Sequence, residues 1–237
     1  MSESSPPSFE EWVEYCFTKA YDDCEDYMNE EASDRVARFV SLESPMLVSY
    51  LTTLFESPVF LADRYAPDSI AKALWFIFGT KSEYFAQVRL DPIEPGDQVR
   101  CIRSVATLYT DLLDRVCGDR GRDPDTDLRE CSEIDGAVYM LWDMDYLEGT
   151  VMFPEKHPHL LEPGLFVLET VLRKCRTSAC LVSALHGIGH CVGSAHSSGY
   201  RELMRRLQSL VDGLVYSRQL PPWLIGYARA AYRGLVQ

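Results

Sequence analysis

The chain has 237 residues, with 23 Lys and Arg against 36 Asp and Glu, a formal charge of −13 and a 46% hydrophobic share. That length is ample for a real core, and the acidic balance repels nucleic acid and anionic membrane surfaces while suiting a basic protein partner or a cationic ligand. No basic segment followed by an apolar stretch opens the sequence. The longest apolar runs, such as Ala73-Leu-Trp-Phe-Ile-Phe78, are far too short to span a bilayer. A cytoplasmic location away from membranes is therefore expected, with the eight cysteines as reduced thiols. Cys16, Cys24, Cys101, Cys117 and Cys131 are scattered and read as small buried side chains.

In chain order the elements read as helices almost throughout. Ser8-Phe-Glu-Glu11 is a capping box, followed by Phe9, Trp12, Val13, Cys16, Phe17 and Ala20 at helical spacing. That helix turns acidic at Asp22-Asp-Cys-Glu-Asp26, a charge run of the kind that usually forms a solvated face. Ser44-Pro45 and Ser57-Pro58 each read as an N-cap followed by a first-turn proline. Another helix starts at Pro67, with Gly79 as its stop. A longer one is expected from Asp97 to Cys117 with Val99, Ile102, Val105, Leu108, Leu112 and Val116 inward. The polar, breaker-rich stretch near 118–130 predicts an exposed loop within one continuous domain, 1–237. Helices then follow over Cys131–Leu147, Pro163–Arg176, Ser178–Ser194, Ser198–Tyr216 and Pro221–Leu235, with an irregular, proline-bearing segment from Glu148 to Pro163.

No period-2 run bounded by hairpin turns is present. The expectation is an all-α fold of stacked antiparallel helical hairpins, an α-solenoid with degenerate repeats.

The most informative feature is the histidine distribution. All five lie between His157 and His196, and His186 and His190 stand one helical turn apart in Ser183-Ala-Leu-His-Gly-Ile-Gly-His190-Cys191. That spacing presents two imidazoles on one helix face, as zinc sites do, and the third ligand would come from Cys191, His196, His157 or His159. Several details weigh against catalysis. The zinc-protease helix places Glu immediately after its first histidine, where this chain has Gly187. Cys191 points about 100° away from His190, and Cys175 and Cys180, five apart, lack a usual ligand spacing. Gly187 and Gly189 each cost about 1 kcal/mol in a helix interior, which makes sense where another element approaches closely. The expectation is that the pair packs a helix, its ring N–H groups donating to carbonyls at neighbouring helix ends. Zinc binding is the alternative.

Trp142-Asp-Met-Asp-Tyr146 mixes aromatics with carboxylates, so Trp142, Asp143 and Asp145 are candidates for a groove that takes a cation or peptide. The chain has no phosphate-cradling glycine loop and no nucleophile elbow.

Ala73-Leu-Trp-Phe-Ile-Phe-Gly79, Tyr139-Met-Leu-Trp-Asp143 and Cys180-Leu-Val-Ser-Ala-Leu-His-Gly-Ile-Gly-His190 together resemble a group of uncharacterised bacterial helical proteins that carry an Ala-Leu-His-Gly-Leu-Gly-His motif near the C-terminus. Ile188 stands here for the leucine. The resemblance covers most of the chain. It implies a HEAT- or armadillo-like array with the histidines in a terminal helix pair, and it implies no reaction. The functional expectation is a non-enzymatic protein-interaction module without a cofactor, an acidic inhibitor or immunity-type protein for a basic partner. The alternative is a metal-binding protein or metal-dependent enzyme using His186 and His190.

Overall fold

The computed structural model describes residues 5–26, 29–90, 92–118, 132–144 and 147–236. Among them every regular element is helical and no strand occurs. The elements are α1 (Phe9–Thr18), α2 (Ala20–Glu25), α3 (Glu30–Val40), α4 (Ser44–Glu56), α5 (Phe60–Arg64), α6 (Pro67–Phe78), α7 (Tyr84–Gln87) and α8 (Pro95–Thr107). A π-helical turn (Leu108–Leu113), α9 (Asp114–Val116), α10 (Glu133–Met140) and α11 (Gly149–Met152) follow. The chain closes with α12 (Leu161–Lys174), α13 (Ser178–Ser197), α14 (Arg201–Ser217) and α15 (Pro222–Arg233). No helix among the described residues is long and apolar enough to cross a membrane.

Local chemistry accounts for most boundaries. Ser8 Oγ accepts from the Glu11 amide and Glu11 accepts from the Ser8 amide, so the capping box forms as read. The helix it starts stops at Lys19, and the acidic run belongs to a separate α2. Asn29 caps α3 through the amides of Glu31 and Ala32, a start that hydrophobic spacing did not reveal. Ser44 lies inside the first turn of α4 rather than capping it, and donates to Gln87 Oε1 at 3.1 Å. Ser57-Pro58 starts no helix directly; α5 begins two residues later. The expected helix to Leu147 ends at Met140, and a turn over 141–144 replaces its last part. The loop near 118–130 falls almost wholly outside the described residues.

One buried cluster runs through both halves of the chain. In the first half it is aromatic: Tyr15 stacks on Phe39 at 3.9 Å between centroids, and Phe78 stacks on Phe85 at 4.4 Å. The Trp12 indole donates to Tyr84 Oη, which donates to the Phe39 carbonyl, so these two polar tips inside the cluster are paired, whereas the Tyr15 hydroxyl makes no hydrogen bond. Packing of α6 on α10 and of α8 on α12 ties the halves together.

In the second half α13 packs against α10, α11, α12, α14 and α15. Its apolar surface goes nearly all round, as a central helix requires. Small residues let the neighbours approach. A Cβ on Gly187 would lie 2.6 Å from Trp142 Cγ, and one on Gly189 would collide with the Val236 side chain. The chain leaves α15 through Gly234 in the left-handed conformation at φ 70°, with Leu235 N–H bonded back to the Ala230 carbonyl. A Cβ at Gly234 would meet the Gly193 nitrogen of α13 at 2.8 Å. The close approach expected at Gly187 and Gly189 is therefore present.

Two anchors join α13 to the long helix α8–α9. Tyr109 Oη and Ser183 Oγ lie 2.7 Å apart in the core. Asp114 Oδ1 accepts from the Arg176 and Thr177 amides and from Thr177 Oγ1 at 2.7, 2.7 and 2.9 Å. The π turn lies between them, marked by the Asp114 N–H bonding to the Tyr109 carbonyl five residues back.

Gly187→Ala is expected to lower stability despite the better helix propensity of alanine. The propensity gain is about 1 kcal/mol, whereas overpacking against a fully buried indole costs about 1–3 kcal/mol or more. Gly213→Ala in α14, where nothing lies within 4 Å of the added carbon, should stabilise by about 0.4–1 kcal/mol. Paired denaturant melts check both signs.

Asp23, nearly buried, takes a two-point contact from Arg35 at 2.9 and 2.7 Å, which holds its carboxyl below the usual range. That stabilisation is present above the ordinary carboxylate pKa and fades as pH falls through the lower folded value. Asp23→Asn should cost about 1 kcal/mol near neutrality, discounted for the half-exposed arginine. The variant should also lose less stability than the parent during acid titration.

Candidate functional site

His186 and His190 leave α13 on one face, with ring centroids 4.4 Å apart. The face meets three other pieces of chain. The Tyr139 ring of α10 lies 4.5 Å from His186, centroid to centroid. The turn after α10 brings Asp143, and the residue preceding α11 is Glu148. From α15 comes Tyr227, whose hydroxyl is 2.8 Å from His186 Nδ1. Trp142, seated over Gly187, is what brings the neighbouring Asp143 down onto the histidine face.

The polar distances define a small four-sided arrangement. His190 Nδ1 lies 3.2 Å from Glu148 Oε2 and 3.4 Å from Asp143 Oδ1, and His186 Nε2 lies 3.8 Å from Asp143 Oδ2. His186 is only 1% exposed, and its Nε2 has no hydrogen-bond partner, 3.8 Å being too long. Glu148, His190 and Asp143 are 14%, 23% and 34% exposed, so the arrangement is sealed at His186 and opens toward solvent at Asp143.

The two imidazoles differ electrically. Burial, and then the charge of His190, push His186 down to about 4, against the pull of Asp143. The hydrogen bond to Glu148 raises His190 despite its own burial. One ring is thus neutral and the other takes the proton. Tyr227 donates onward to Tyr139 Oη at 3.4 Å, which leaves it to accept from His186 Nδ1–H. That tautomer points a bare Nε2 lone pair at a carboxylate oxygen, with no proton between them.

A lone pair aimed at a carboxylate is an arrangement a cation relieves. Ligand atoms at 2.0–2.1 Å from a tetrahedral centre lie about 3.3 Å from one another. The spacings of 3.2, 3.4 and 3.8 Å bracket that value before any relaxation. His186, His190 and Asp143 offer ligand atoms that all fall within 4.8 Å of each other. Tyr227 on the far nitrogen of His186 has the place of an outer partner that fixes ring orientation.

The partners differ from those expected at the sequence level. The ring nitrogens face a phenol and two carboxylates instead of helix-end carbonyls. Cys191 is buried and is not among the grouped ligand atoms, and His196 is exposed near the end of α13. His159 bonds Gln98 at 2.5 Å and neighbours His157 elsewhere on the fold. Of the groove candidates, Asp143 joins the histidines, Trp142 is fully buried against Gly187, and Asp145 lies outside the described residues. Glu148 and Tyr227 carry no functional expectation at the sequence level, and Tyr139 enters there only as the first residue of a resembling segment. Nothing in their local sequence marks them, since they reach the site by tertiary packing alone. Comparison with protein-family models, curated proteins and solved structures returned no match.

In the metal-free protein, imidazole NMR titration should place His190 above the ordinary histidine value of 6.5 and His186 near 4. The stabilisation from His190 is complete below the ordinary value and is lost as pH rises through the raised one. His186 acts in the opposite sense, costing stability as pH falls below 6.5. Glu148→Gln should bring the His190 midpoint down; an unchanged midpoint would remove Glu148 as its cause.

Proposed function

We propose that this protein binds one divalent first-row transition ion of the zinc class through His186, His190, Asp143 and Glu148. The observation that carries the reading is the sealed, unpartnered His186 Nε2 aimed at the Asp143 carboxylate. Two imidazoles and two carboxylates suit zinc or iron better than magnesium or calcium, which prefer all-oxygen shells. The ion takes the place of the proton that His190 Nδ1 shares with the carboxylates. Four protein ligands fill a tetrahedral shell, and the partial exposure of Asp143 and His190 gives the ion a route in from solvent.

A second reading is a helical interaction module, built as a stack of HEAT-like hairpins, that holds a basic protein partner. It rests on the formal charge of −13. The two readings are compatible, since an ion at the histidine site neutralises only part of that charge.

Elemental analysis of tag-free protein should find close to one equivalent of a transition ion after equilibration with zinc and removal of excess. His186→Ala or His190→Ala should weaken affinity by about 100-fold or more, and Tyr227→Phe by about 10-fold, as loss of an outer partner does. Less than about a tenth of an equivalent of any first-row ion, against the stoichiometric binding a real site gives, would sink the proposal.

A further inference from the structure

A second group of potential ligands lies at the opposite end of α13. Cys175 follows α12 in extended conformation, and Cys180 is in the first turn of α13. The short bend Arg176-Thr177 folds these two thiols together, although five positions separate them in sequence. Their sulfurs and a carboxylate oxygen of Asp114 all fall within 4.8 Å of one another. Two thiols thus meet a single carboxylate. Cys117, at the end of α9, is a third buried thiol that neighbours Cys180 and lies outside that group.

We propose that Cys175, Cys180 and Asp114, with neighbouring Cys117 drawn in as a fourth ligand, form a second, thiolate-rich site for a thiophilic divalent ion of the zinc class. Three observations carry this. Sulfurs at about 2.3 Å from a tetrahedral centre lie about 3.8 Å apart, so the 4.8 Å group of Cys175, Cys180 and Asp114 closes with small side-chain movements. Asp114 is held from behind by three donors on its Oδ1, the way ligating carboxylates are oriented by outer hydrogen bonds. Positive potential is already in place: Cys180 sits at the amino end of a 20-residue helix, and the Arg218 guanidinium donates to the carbonyls of Cys175 and Arg173. Binding breaks three S–H bonds, forms three metal–sulfur bonds and releases three protons to solvent, with no change of oxidation state.

The site is independent of the histidine cluster, and thiolate absorption separates the two. Cadmium(II) added to reduced, tag-free full-length protein should raise the thiolate-to-cadmium ultraviolet band to saturation at one equivalent. Nitrogen and carboxylate ligands give no such band, so the His186→Ala/His190→Ala variant should keep it. Cys175→Ser and Cys180→Ser should each lose about half of the band or more, with helical circular dichroism retained. Alkylation in mild urea, read by mass spectrometry on the unmutated chain, serves if those variants fail to fold. Cadmium should then slow modification at Cys117, Cys175 and Cys180 and leave Cys16 and Cys101 unaffected. The proposal is overturned by no band in the unmutated protein, by a band that survives both serine variants, or by protection that does not select these three thiols.

Discussion

The arrangement around α13 depends on an absent carbon. Without a Cβ at Gly187 the indole of Trp142 lies directly on the helix backbone. A side chain there would lift the indole, and with it the turn that carries Asp143. The site's geometry is therefore set by packing: a well-filled interior admits few positions for so large a ring, and the carboxylate goes where the ring takes it. The same principle recurs along the helix, where Gly189 receives Val236 and Gly193 receives Gly234. That seam holds α15 against α13 and so delivers Tyr227 to His186. The helix propensity lost at the glycines is offset by the contacts they permit.

Electrostatics then distinguishes two chemically identical rings. Both imidazoles lie on one face of one helix, yet one is sealed and the other borders solvent beside two carboxylates. Low dielectric disfavours charge on the first, and a hydrogen-bonded carboxylate favours it on the second. A site with one proton-free nitrogen and one readily exchanged proton is suited to taking up a cation. Positive charge is already tolerated at His190, and His186 needs no deprotonation. Desolvating such a group with one side unpartnered is costly, and a bound ion would offset that cost.

Much of the fold was legible in the sequence because its signals are local. The capping box at Ser8, the hydrophobic period of the last four long helices and the Gly79 stop each need only neighbouring residues. What escaped depends on contacts distant in sequence. The π turn leaves no mark in an apolar pattern that reads as continuous helix. The early end of α10 at Met140 follows from the demand of Trp142 for Gly187, 45 positions away. The histidine pair itself was evident from spacing, as was Asp143 from its aromatic setting. Their coming together was not, and neither was the role of Glu148. The thiols show the same limit: a five-residue spacing looks wrong for ligands only while both cysteines are imagined on one helix, and a bend before α13 removes that objection.

The π turn has a further meaning for how the long helix can vary. In an α-helix, residues five apart point about 140° away from one another, so Tyr109 and Asp114 could not both face α13. A bond that spans five residues brings them back to nearly the same side. The turn thus works as a phase adjuster between two anchors, one at Ser183 within α13 and one at the bend before it. Deleting any single residue between Tyr109 and Asp114 would restore regular winding and leave the anchors four apart, still on one face, whereas inserting one would turn Asp114 away. In this stretch the angle between the anchors is the constrained quantity, and five residues with a π turn or four in regular winding both meet it.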